Sequence, residues 1–149
     1  MTKRILIADD SQFFREQLRL FMIEKNPDWI VCEAKDGMDA VRKSRQLPLD
    51  AVILDLRMPE MDGLGAGRRL KQLMPKLPMV LFSVDTSSQL EDAAHASGIS
   101  AVFLKTQWIQ LFQWLEAVLG DLRPTYCSAA TRQTQSAPGP QYLVPKSDC

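Results

Sequence analysis

The stretch Ala51-Val52-Ile53-Leu54-Asp55-Leu56-Arg57-Met58-Pro59-Glu60-Met61-Asp62-Gly63 decides the fold. Its first four residues are a continuous apolar run that ends on an acid, and turn residues and a helical pattern follow. A short run without polar alternation reads as a strand buried on both faces, the situation of a parallel sheet covered by helices on each side. Working outward, four further runs of the same kind lie at Ile5 to Ala8, Trp29 to Ala34, Met79 to Phe82 and Ala101 to Leu104.

Helical patterns separate these runs, at about Ser11 to Lys25, Met38 to Gln46, Leu64 to Met74, Ser87 to Ser97 and Trp108 to Leu119. In the first, Phe14, Leu18, Phe21 and Met22 share one face, Ser11 is placed to cap the start, and Pro27 lies beyond the end. In the last, Trp108, Leu111, Phe112, Leu115, Val118 and Leu119 form one apolar stripe that Gly120 terminates. The order is therefore (βα)5, an α/β fold with a doubly wound, five-stranded parallel sheet of the flavodoxin-like kind. A site on such a sheet belongs at the carboxyl ends of the strands, near the topological switch point.

The 149 residues, 46% of them apolar, suffice for one ordinary domain. Residues 1–120 are assigned to it. From Asp121 the chain turns to Pro, Ser, Thr, Gln and Gly without periodicity, so residues 121–149 are expected to be a disordered tail. Within that tail Tyr142, Leu143 and Val144 form a small apolar cluster. Eighteen basic residues balance eighteen acidic ones, so no overall field draws nucleic acid or anionic membrane to the chain. Cys32, Cys127 and Cys149 are odd in number and widely spaced, which speaks against a disulfide framework or a zinc site and for a reducing cytoplasm. No stretch approaches the roughly 20 apolar residues that cross a bilayer.

The chemistry lies in the acids at the strand ends. Asp9 and Asp10 follow the first strand directly and Asp55 follows the third, so parallel topology brings three carboxylates into one cleft. Left alone they repel and raise one another's pKa values. A hard divalent cation relieves this, and Mg2+ prefers a few carboxylates with waters and phosphate oxygens to a full protein cage. Either acidic element alone reads equally as a helix cap or a turn former; their coincidence at two strands points to a metal-assisted phosphate site. Ser83 closes the fourth strand and Lys105 the fifth, adding a hydroxyl and a cation at the same rim.

Asp9-Asp10, the run Asp55-x-x-Met58-Pro59-x-x-Asp62-Gly63, Ser83 and Lys105 together resemble the receiver domains of bacterial response regulators, over about residues 3 to 120. The first ~105 residues are most similar to receivers that precede a LuxR/NarL-type helix-turn-helix, a DNA-binding part that is not expected here. The resemblance implies that Asp55 takes a phosphoryl group from the phosphohistidine of a sensor histidine kinase or phosphotransfer protein. It implies Mg2+ on Asp10, Asp55 and the Arg57 backbone carbonyl, with Asp9 holding a metal-bound water. Lys105 would neutralise phosphoryl charge and Ser83 would swing toward the new phosphate. It further implies a cytoplasmic regulatory protein rather than a metabolic enzyme, which signals to an unknown protein target through the face of the fourth and fifth helices, where a homodimer could also form, without direct contact to nucleic acid or membrane. Met58-Pro59, Asp62-Gly63 and Gly37 read as turn and cap residues.

The chain departs from the family pattern at three places. Thr106 stands where a Pro with a cis bond usually follows the Lys, so a trans bond is expected. Val102 replaces the rotating aromatic, and Phe103, on the other face, is expected in the core. Val84 is larger than the usual small residue and is expected to restrict access to the phosphoryl group. Arg57 and Asp85 are expected to pair across the cleft rim. The departures at Thr106 and Val102 leave a second reading open, a pseudo-receiver that binds constitutively. A hydrolase with an aspartyl nucleophile needs an acid-base group, and the single histidine, His95, reads as a surface residue of the fourth helix.

Overall fold

The computed structural model describes residues 2–120, and the tail expected at 121–149, with its Tyr142 to Val144 cluster, lies outside the described residues. Strands and helices alternate as β1 (Lys3–Ala8), α1 (Gln12–Lys25), β2 (Trp29–Ala34), α2 (Gly37–Gln46), β3 (Ala51–Leu54), α3 (Gly63–Leu73), β4 (Met79–Ser83), α4 (Ser88–Ala96), β5 (Ala101–Leu104) and α5 (Trp108–Leu119). The sheet runs β2-β1-β3-β4-β5 with all neighbours parallel. The doubly wound flavodoxin-like reading is borne out.

Burial on both faces explains why the strands read as unbroken apolar runs. Leu6, Ala8, Val52, Leu54, Met79 and Leu81 point into one core with Ala40 and Val41 of α2 and Ala66 and Leu70 of α3. Their neighbours Ile5, Ile7, Ile53, Val80 and Phe82 point into another with Leu18 and Met22 of α1 and Leu111, Leu115 and Leu119 of α5. Truncating one of the fully buried Leu, Ile, Met or Phe side chains among them to Ala costs about 2 to 5 kcal/mol. Val102 packs against the first core and Phe103 against the second, as their alternation requires. Val118 departs from the α5 stripe and is 40% exposed, because ten residues at about 100° each carry it off the face that Trp108 begins.

The caps follow local chemistry. Ser11 Oγ accepts from the Phe14 amide, and Asp36, Asp62 and Ser87 cap α2, α3 and α4 in the same manner. Gly63 differs from its expected role as a flexible turn residue. A Cβ there would lie 2.2 Å from the Asp55 carbonyl oxygen, so the position demands the absence of a side chain rather than an unusual φ. Cys32 is buried on β2, while Cys127 and Cys149 lie outside the described residues. Among the described residues no peptide bond is cis, so Lys105–Thr106 is trans, and no helix is long and apolar enough to cross a membrane.

Candidate functional site

The chain turns one way from β1 to β2 and the other way to β3, which opens a crevice at the carboxyl ends of β1 and β3. Ala8 and Leu54 are paired in register, so the residues that follow them, Asp9 and Asp55, stand side by side. Their main chains are pinned: the Asp9 amide donates to the Ala34 carbonyl at 3.1 Å and the Asp55 amide to the Ala8 carbonyl at 2.9 Å. Carboxylate oxygens of Asp9, Asp10 and Asp55 all lie within 4.8 Å of one another. Asp9 and Asp55 are buried and Asp10 is exposed.

Lys105 enters from the far side. Its amide donates to the Ser83 carbonyl at 2.7 Å, which extends the β4–β5 ladder by one bond. Its ammonium lies 2.7 Å from Asp9 Oδ2 and 3.2 Å from Asp55 Oδ1. The ammonium therefore bridges Asp55 and, more closely, Asp9, a contact that the sequence reading did not foresee. The second oxygen of Asp9 accepts from the Ser11 amide at 2.8 Å. Burial is the main cause that raises the Asp55 pKa, and the Asp9 charge adds to it against the pull of Lys105. Burial alone would lower the Lys105 pKa, but the hydrogen bond and charge of Asp9, then Asp55, outweigh it and raise the value.

Three hard oxygen donors fit a divalent cation here. Among the described residues no hydrogen bond or ion pair ends on the Asp10 carboxylate, and none ends on the Arg57 carbonyl, so both have lone pairs to offer. The carboxylate set carries more negative charge than one ammonium offsets. That surplus is what Mg2+ chemistry matches. Ser83 is buried, and among the described residues its hydroxyl accepts only a long bond, 3.4 Å, from the Asp85 amide. Val84 is 71% exposed. The expected Arg57–Asp85 pair does not form; Arg57 and Asp85 are both exposed, where an ion pair gains too little to order two side chains. His95 is exposed on α4, away from the acids in sequence and strand end.

Two supporting residues escaped the sequence reading. Arg15 Nη1 donates to the Asp9 carbonyl at 2.7 Å while its Nε pairs with Glu33 at 3.0 Å, and Arg19 holds the other Glu33 oxygen at 3.0 Å. Phe14 lies under Lys105, with the ammonium 4.4 Å from its ring centroid. The one available signal was position: both belong to the first turn and a half of the helix that leaves the acid pair.

The chain matches the family described as response regulator receiver domain over residues 5–114. It is 39% identical over 100 residues to a protein-glutamate methylesterase/protein-glutamine glutaminase of Methanosarcina acetivorans, an alignment that covers 66% of this chain and 28% of the relative. It is 36% identical over 97 residues to the chemotaxis protein CheY of Bacillus subtilis, covering 64% of this chain and 80% of that one. Among solved structures it is similar to a LuxR-family two-component response regulator from Aurantimonas, with TM-score 0.75, 29% identity, and coverage of 91% of this chain and 100% of that one. The chain spans only 21 to 38% of the length of the first methylesterases it matches.

Proposed function

The chain belongs to the response regulator receiver domain family, and from that premise we propose that residues 1–120 accept a phosphoryl group on Asp55 from the phosphohistidine of a sensor histidine kinase or phosphotransfer protein. The observation that carries this reading is Asp55 itself, ending a buried strand with Asp9 and Asp10 oxygens within 4.8 Å and the Lys105 ammonium at 3.2 Å.

An Asp55 oxygen attacks phosphorus in line as the bond from phosphorus to the donor's imidazole nitrogen breaks, and that nitrogen keeps the electron pair. Asp55 is both nucleophile and product. Asp10, Asp55 and the Arg57 carbonyl would hold Mg2+, with Asp9 acting through a water. Bound there, the ion neutralises charge on phosphoryl oxygens. Lys105 neutralises further charge, and Ser83, whose hydroxyl makes only one long contact, turns to donate to a phosphoryl oxygen. The single histidine, His95, is exposed on α4, and we read the protein as regulatory rather than metabolic.

We place the protein in the cytoplasm and its output in protein contacts through α4 and α5, with self-association through the same face, and without direct binding to nucleic acid. The finer likeness, to receivers that precede a LuxR-type region, has support from the Aurantimonas regulator; the methylesterases and the chemotaxis protein support the receiver reading equally without it.

The test is incubation with Mg2+ and acetyl phosphate, followed by intact mass. The expected result is an acid-stable, base-labile gain of one phosphoryl group that is absent in Asp55→Asn. No adduct would favour the pseudo-receiver that Val102 and Thr106 keep open. Continuous phosphate release with little adduct would favour a hydrolase.

A further inference from the structure

Lys105 lacks the Pro that would fix its loop, yet both its backbone and its side chain are gripped. The Gln107 side-chain oxygen accepts from the Leu104 amide and the Gln107 amide donates to the Leu104 carbonyl, each at 2.8 Å. The Trp108 indole N–H donates to the Lys105 carbonyl at 2.6 Å. At the other end of the side chain, the ammonium sits 4.4 Å from the centroid of Phe14. These two aromatics brace each other: Phe14 and Trp108 meet edge-on at 5.7 Å, Phe14 rests on Phe82 at 5.9 Å, and Phe21 supports Trp108 at 5.3 Å.

We propose that Phe14 and Trp108 are positioning residues for Lys105, the indole fixing its main chain and the phenyl face holding its ammonium within reach of both Asp9 and Asp55. A cation over an aromatic face is attracted to the ring quadrupole, and more strongly where water is partly excluded. The Lys105 side chain is 18% exposed, so the contact lies in that stronger regime. Without the ring, a flexible four-carbon stem loses one of the three contacts that define where its charge sits. The pair also ties the first turn of α1, which follows the acids, to the first turn of α5, which follows the Lys. In this chain the aromatic brace takes over the restraint that Thr106 does not provide.

The kinetic side of this proposal rests on the phosphoacceptor reading, and the spectroscopic side does not. Phe14→Leu is expected to slow Mg2+-dependent adduct formation with acetyl phosphate roughly three- to tenfold. Phe14→Tyr, which keeps the ring face, is expected to retain most of the rate, and Trp108→Phe to slow it in the same direction. In a Lys105→Ala background Phe14→Leu should add nothing. Independently, the Lys105 ε-methylene protons should resonate upfield through the Phe14 ring current, lose that shift in Phe14→Leu and keep it in Phe14→Tyr. An unchanged rate in Phe14→Leu, or equal slowing in Leu and Tyr variants, overturns the proposal. Should the wild type form no adduct, the phosphoacceptor reading fails and the methylene shift alone decides: dependence on Phe14 supports positioning, and its absence sinks it.

Discussion

Lys105 Nζ and Asp9 Oδ2 meet at 2.7 Å across 96 residues of sequence, which joins the end of β5 to the end of β1 through a largely buried charge pair. Removing the cation leaves Asp9, 2% exposed, with its charge uncompensated. Lys105→Met is therefore expected to cost on the order of 2 kcal/mol in urea denaturation without Mg2+. The Lys105 pKa is raised in the fold, so its contribution is fully present below the ordinary value of 10.5 and fades as pH rises through the folded value. The gap between wild type and Lys105→Met should be constant near neutrality and close only in strong alkali. A gap that instead closes between pH 6 and 8 would contradict this pairing.

Asp55 carries the opposite sign. Burial and the Asp9 charge hold its pKa above 3.8, so above the folded value its ionised form costs stability. Asp55→Asn removes that repulsion, and the metal-free variant should melt a few degrees above the wild type at pH 7. Millimolar Mg2+ should raise the wild type more than the variant and narrow the difference, because the cation binds the carboxylate set of the folded state. Differential scanning calorimetry with EDTA and with Mg2+ measures both arms.

The strands were legible because the central ones are buried on both faces, which forces continuous apolar runs such as Ala51–Leu54 and leaves the terminal acid conspicuous. The acids, Ser83 and Lys105 were legible because parallel topology sends every strand end to one rim. Contacts across the rim were not. Nothing local couples Lys105 to Asp9 more closely than to Asp55, and the rejected Arg57–Asp85 pair had equally good charge complementarity. Phe14 was legible only as a core residue, since its periodicity places it on the buried face of α1 and says nothing of the ammonium above it. Close approaches such as Gly63 to the Asp55 carbonyl depend on loop packing, which a single sequence does not encode in any periodic form.

Asp39 supplies a pH dependence away from the cleft. Burial pushes its pKa up, but the Lys35 amide, then the charges of Lys43 and Arg42, outweigh that and lower it below 3.8. A depressed carboxylate contributes stability above its unfolded value that is lost as pH falls through the folded one. Asp39→Asn is expected to cost about 1 to 2 kcal/mol at pH 7, with wild type and variant converging as pH falls through the folded value, which lies below 3.8. Chemical denaturation from pH 2 to pH 7 tests this, and parallel curves across the whole range would refute it.

Gly63 links packing to the phosphoacceptor most directly. A methyl group there would lie 2.2 Å from the Asp55 carbonyl oxygen and 2.9 Å from Leu81 Cδ1. The carbonyl cannot retreat cheaply, because the Asp55 amide is held by Ala8 on one side and the Gly63 amide donates to the Leu56 carbonyl at 2.8 Å on the other. Gly63→Ala should therefore cost about 2 kcal/mol or more through overpacking. Relief by moving the Asp55 main chain shifts the carboxylate relative to Lys105, so the variant should also lose adduct formation with acetyl phosphate more than tenfold. Gly65→Ala is the control. Its added methyl meets only side-chain atoms, the nearest Met61 Cγ at 3.2 Å, and helix propensity favours Ala over Gly. That variant should fold at least as stably and be phosphorylated at a near wild-type rate, so equal loss in both variants would show that α3 packing, rather than the Gly63 approach to Asp55, governs the site.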